Sequence, residues 1–222
     1  MNAGPASGAG NAPTAGGVAS GMDLPAFSVT WDYRCPFARN AHEHLVAALE
    51  GGAAWDVTFL PFTLSQVHVP ERGTPAWDDP SKRSELAALE AGLVVRDRFP
   101  ERSLAVHRGL FAARHDQSRD LRDPVVLEAV LDEHGVPGSE VLAEVAAGWP
   151  SDELAKAHLT AVDHFEVFGV PTFIVGDHAV FVRLMTRPDG DAAASTELIE
   201  RIVRRVADEP EINEFKHTSL SR

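Results

Sequence analysis

The one cysteine of the chain, Cys35, stands in the run Asp32-Tyr33-Arg34-Cys35-Pro36-Phe37-Ala38, between a stretch of strand formers and a helical stretch. Pro36 has no N–H to leave unpaired and suits the first position of a helix. The thiol is therefore placed where free backbone N–H groups and the helix dipole favour an anion. This predicts a thiol more acidic than the ordinary value of roughly 8.5, with Arg34 adding to the effect. The plainer reading is a packed cysteine, since a thiol behaves as a small hydrophobe in a core. A second feature is Phe168-Gly169-Val170-Pro171-Thr172-Phe173, where a proline directly precedes a strand. Such an X-Pro bond can be cis, or it can be a trans proline entering an edge strand.

Other constellations are weaker. His42 and His44 are two apart on the helix that follows Cys35 and face different ways, which argues against a metal pair. No other histidine has ligand spacing to a second His or to the cysteine, so no metal is expected. Neither a Gly-x-Gly-x-x-Gly run nor a phosphate loop is present. A serine-hydrolase elbow is absent as well. Trp77, Phe99, Phe111 and Trp149 lie in the stretch 69–168 and read as core, with some able to line a cleft over Cys35.

The elements that must position these residues follow from periodicity and punctuation. Residues 26–31 alternate as a strand, and residues 36–50 form a helix stopped by Gly51-Gly52. A second strand covers 55–62, giving a β-α-β unit. Residues 69–79 are an irregular connection rich in Pro, Gly and Asp. Helical periods then take over at 84–99, 104–115, 124–134, 139–147 and 151–168, which form a separate lobe. Strands at 172–176 and 179–182 make a hairpin around Gly176-Asp177-His178, and a final amphipathic helix covers 192–207.

Composition bounds the function. The formal charge of −13 disfavours nucleic acid and anionic membranes as partners. No apolar run reaches the roughly 18 residues needed to cross a bilayer, so no membrane association is expected. Residues 1–24 are rich in Gly, Ala, Pro and Ser and read as a disordered leader, without the basic start and apolar centre of a signal peptide. A lone cysteine offers no disulfide framework, so a reducing cytoplasm is the simpler home. The chain has 3 Lys against 17 Arg and much Ala, the composition of a GC-rich bacterial source.

In element order, and at Cys35-Pro36-Phe37-Ala38 and Val170-Pro171, the chain resembles the DsbA-like thioredoxin-fold family. That group is related to 2-hydroxychromene-2-carboxylate isomerase and kappa-class glutathione transferase. The resemblance implies an α/β thioredoxin fold with an inserted all-helical domain. Its parts would be a thioredoxin-like domain at 25–68 and 169–209, a helical insertion at 69–168, and a tail at 210–222. By resemblance Cys35 is the nucleophile, Pro171 the cis-proline facing it, and Val170 the residue whose backbone pairs with a thiol substrate. Arg34, Pro36 and Phe37 complete the expected substrate-contacting set.

The family's dithiol members carry Cys-x-x-Cys, and here the second position is Ala38. An internal disulfide cannot then expel a bound partner, which leaves monothiol chemistry. The expected activity is a thiol-dependent oxidoreductase resolved by an external low-molecular-weight thiol, mycothiol or glutathione. Its substrate would be a small-molecule thiol or disulfide, and a homodimer is a possible state. The alternatives are a thiol-cofactor-dependent transferase or isomerase, and a non-catalytic binding protein on the same fold.

Overall fold

The structure is a computed structural model and describes Met1, residues 24–212, and Glu214, Lys216 and His217. The leader expected at 1–24 lies, but for Met1 and Leu24, outside the described residues, as does part of the tail. Strand β1 (Phe27–Trp31) leads through a turn to helix α1 (Pro36–Glu50) and strand β2 (Val57–Pro61). Six helices follow before the chain returns to the sheet: α2 (Leu64–Val67), α3 (Arg83–Arg98), α4 (Ser103–His115), α5 (Pro124–Glu133), α6 (Gly138–Ala147) and α7 (Trp149–Phe165). Strands β3 (Thr172–Val175) and β4 (His178–Phe181) and helix α8 (Ala192–Asp208) complete the order.

The sheet runs β2-β1-β3-β4, with β1 parallel to β2 and antiparallel to β3, and β3 antiparallel to β4. Parallel pairing of β1 and β2 requires a crossover, which α1 supplies. The sheet has an apolar core on each side. Phe27, Val29, Phe173 and Val175 pack with Ala41 and Leu45 of α1 and with Ile199, Val203 and Val206 of α8. The other core joins Trp31, Tyr33, Cys35, Phe62 and Ile174 to Leu86, Leu89 and Leu93 of α3, Leu110 and Phe111 of α4, and Leu154 of α7. This is the α/β thioredoxin fold with its helices inserted between β2 and β3.

Several boundaries differ from the sequence expectations for local reasons. Strand β2 starts at Val57 because Trp55 instead packs edge-on against Phe27, ring centroids 5.9 Å apart. Helix α2 was not expected. Its Thr63 side chain caps the turn by accepting from the Ser65 N–H, but four residues are too few to show a period. Helix α7 begins two residues early, since Pro150 is tolerated in a first turn. It stops at Phe165, short of 168, because Glu166 adopts a left-handed φ of 53°. Residues 167–170 are thereby released from the helix to run toward Pro171.

Candidate active site

Cys35 is the N-cap of α1, in extended conformation with φ −92° and ψ 118°. Its Sγ accepts the Ala38 N–H at 3.4 Å, which satisfies one of the free donors of the first turn. It donates to the Val170 carbonyl oxygen at 3.3 Å. The Val170–Pro171 bond is cis. Residues 135 positions apart thus meet at the start of one helix.

The electrostatics overturn the expectation of an acidic thiol. Burial pushes the Cys35 thiol above its ordinary value, and the N–H groups of Ala38 and Phe37 oppose this without reversing it. Asp32 raises it further. The bond to Val170 acts in the same sense, because a thiol can donate to that carbonyl and a thiolate cannot. Arg34 does not supply the expected positive charge, for it is held elsewhere. Its Nη2 lies 2.8 Å from Asp32 Oδ2 and its Nη1 lies 3.3 Å from Glu85 Oε2. Asp32 is itself buried and also accepts the Leu64 N–H at 2.8 Å. Glu85 accepts from the Ser65 hydroxyl and pairs with Lys82. Arg34 is therefore a strut between the cysteine turn, α2 and α3.

The remaining expected residues surround the thiol, except that the Phe37 ring is engaged elsewhere. Pro36 is exposed at the rim beside Cys35. Phe37 is half-buried, and its ring lies 5.4 Å beneath the Arg183 guanidinium, a cation–π pair. Val170 and Pro171 are buried opposite the thiol.

Both walls of the site are tied to one buried chain of hydrogen bonds that the sequence does not reveal. Thr30 on β1 donates through its hydroxyl to Gly169 O at 3.4 Å and accepts the Thr172 N–H at 2.8 Å, clasping the segment around Pro171. Its backbone oxygen faces His42 Nε2 at 3.2 Å. His42 Nδ1 meets His107 Nε2 at 3.0 Å, and His107 Nδ1 meets the Tyr33 hydroxyl at 3.1 Å. A carbonyl can only accept, so His42 Nε2 carries the proton, His107 donates to His42, and Tyr33 donates to His107. Burial enforces neutrality. His42 is lowered to about 3, His107 falls well below its ordinary value, and Tyr33 is raised well above its own.

His42, which the sequence reading set aside as a metal ligand, is therefore a link between helix and sheet. Its partner lies 65 residues away on α4, too far for any local pattern. Among the described residues no group of three or more His, Cys, Asp or Glu is arranged to hold a metal ion. No helix among them is long and apolar enough to cross a membrane.

Comparison with solved structures gives the same architecture. DsbA from Pseudomonas aeruginosa is 18% identical over 87% of this chain and 89% of its own, with a TM-score of 0.53. Reduced DsbA1 from Neisseria meningitidis is 18% identical over 84% and 86%, with a TM-score of 0.52. A thioredoxin-like oxidoreductase from Silicibacter pomeroyi DSS-3 is 18% identical over 81% and 87%, with a TM-score of 0.51. At this identity the likeness concerns the fold. Comparison with curated proteins returns no match. The model of the DSBA-like thioredoxin domain matches residues 28–187, which span the cysteine turn, the inserted helices and the hairpin after Pro171. The chain belongs to the DSBA-like thioredoxin domain family.

Proposed function

We propose that this protein is a thiol–disulfide oxidoreductase that works through Cys35 alone. The Cys35 thiolate attacks one sulfur of a small disulfide, a new S–S bond forms, and the other sulfur leaves as a thiolate with the bonding electron pair. A low-molecular-weight thiol, glutathione or mycothiol, then attacks the mixed disulfide and regenerates Cys35. The carrying observation is the thiol at the start of α1, 3.3 Å from the Val170 carbonyl oxygen beside Pro171. Val170 O is the acceptor, and the N–H groups at the start of α1 are the donors, that a bound sulfur substrate would meet. Ala38 in place of a second cysteine supports the external resolving thiol, and the single cysteine suits a reducing compartment. The raised thiol makes the exchange rate climb with pH into the alkaline range.

Reduced protein treated with glutathione disulfide should gain one glutathione by intact mass, and Cys35→Ser should gain none. A second reading, a non-catalytic protein on this fold, is favoured by the burial of the thiol and its raised pKa. It becomes the better one if no small disulfide ever adds to Cys35.

A further inference from the structure

One open groove of about 250 Å³ lies at the active-site end of the sheet, between α2, α7 and the segment that leads to Pro171. Its walls include Phe62, Val67, His158, Leu159, Val162 and Phe168. Seven large apolar side chains stand exposed among the described residues, and four of them, Val67, Leu159, Val162 and Phe168, line this groove. Scattered apolar residues need no explanation, but a cluster at a concave site does.

The lining carries no formal charge. His158 is buried and neutral, lowered to about 4 by burial, and its ring stacks on Phe62 with centroids 4.1 Å apart. Its Nδ1 is buried and has no hydrogen-bond partner among the described residues. The other polar lining residue, Gln66, already accepts the Ala76 N–H at 2.7 Å. A carboxylate or phosphate would find no counter-charge here. A volume near the low end of ligand pockets, about 300–1,000 Å³, suits a single ring or short alkyl group.

The groove also has a fixed relation to the thiol. Val167 lines it and lies three residues before Val170, so their Cα atoms are at most about 11 Å apart. Phe62 lines its other side and is anchored by donating its N–H to Trp31 O at 3.0 Å, on the strand that ends at the cysteine turn.

We propose that this groove seats the uncharged aromatic or alkyl group of a disulfide whose sulfur reacts at Cys35. The proposal rests on the exchange reading above and narrows its substrate to apolar disulfides. The reaction is the balanced exchange already given, with an arylalkyl thiolate as leaving group.

The test compares dibenzyl disulfide with bis(2-hydroxyethyl) disulfide, both neutral, by intact-mass kinetics. Wild type should react about tenfold faster with the dibenzyl compound, the factor that burial of roughly two CH₂ equivalents supplies. Leu159→Asp and Val162→Asp, on the exposed side of α7, should lower the dibenzyl rate more than the hydroxyethyl rate and bring the ratio of the two close to one. No preference in wild type, or equal loss of both rates in the variants, overturns the proposal.

If wild type reacts with neither disulfide, the exchange reading fails and the groove is decided separately. Cys35→Ser protein titrated with benzyl alcohol should then shift the amide resonances of Val162, Val167 and Phe168, and absence of those shifts overturns the groove. A dimer that Val162→Asp splits into monomers would mark a subunit interface and overturn it too.

Discussion

Acid should unfold this protein through its buried histidines. His42, His107 and His158 are each less than a tenth exposed and neutral when folded. Burial lowers His42 to about 3 and His158 to about 4 from an ordinary 6.5, and it lowers His107 in the same sense. A folded pKa below the unfolded one leaves stability intact above pH 6.5 and removes it as pH falls toward the folded value. Between pH 7.5 and 5 His42 and His158 each cost about 2 kcal/mol, because only the unfolded chain takes up their protons. The two together cost about 4 kcal/mol, with His107 adding in the same direction, against a whole-domain stability of about 5–15 kcal/mol. His44 and His115, lowered less, add in the same direction. Glu90 works against them, since burial raises its carboxyl and the folded state binds that proton first as pH falls. Urea unfolding followed by tryptophan fluorescence at pH 7.5, 6 and 5 measures the slope. His158→Phe removes one of the three terms and an unpartnered Nδ1 while keeping a ring against Phe62. It should recover about 2 kcal/mol of the loss at pH 5 and cost little at pH 7.5. A flat stability between pH 7.5 and 5, or a His158→Phe slope equal to the parent's, would refute the reasoning.

The iodoacetamide rate of Cys35 should have its pH midpoint above the ordinary cysteine value, as burial and the Val170 carbonyl require; a midpoint below it would show that the helix start dominates. Ala38→Cys, whose backbone N–H already lies 3.4 Å from the Cys35 sulfur, should form an intramolecular disulfide under mild oxidant and release a bound small thiol, read by mass. Glu90→Met should raise stability at pH 7.5 by about 1–3 kcal/mol, because both carboxyl oxygens are buried and the contact with Ser151 does not offset their desolvation, as chemical denaturation would show. Gly92→Ala should destabilise by about 1–3 kcal/mol in the same assay, since its Cβ would come within 2.8 Å of the Trp31 ring and 2.9 Å of the Tyr33 oxygen.

What was legible in the sequence rested on local signals. Pro36 marks the first turn of α1, Gly51-Gly52 its end, and Gly176-Asp177 the hairpin turn, because proline fixes φ while glycine tolerates the positive φ found at Gly52 and Gly176. Pro171 was legible as a strand entry. The acidity of Cys35 was misjudged because the dipole argument is local, while the burial that outweighs it comes from residues far along the chain. Arg34 was misjudged because its charge is taken up by Asp32, two positions before it, and by Glu85, 51 positions away; only the second lies beyond a local pattern. The link from His42 to His107 and Tyr33 has no sequence signature at all. A histidine on an apolar face looks the same whether it meets a ring, a carbonyl or nothing.

That hydrogen-bonded chain bears on how the fold can be edited. On paper the inserted helices look removable: a cut after Phe62 and a join before Pro171 would leave a small thioredoxin. In the molecule α4 supplies His107, the link between Tyr33 on the cysteine turn and His42, whose other nitrogen holds Thr30 and through it the Pro171 segment. Trp31, Tyr33 and Phe62 would lose the leucines and phenylalanine that cover them. Deleting the lobe would strip both jaws of the site at once. The insertion is a keystone, and swapping it for a relative's helices would require transplanting the histidine partner along with the loop ends.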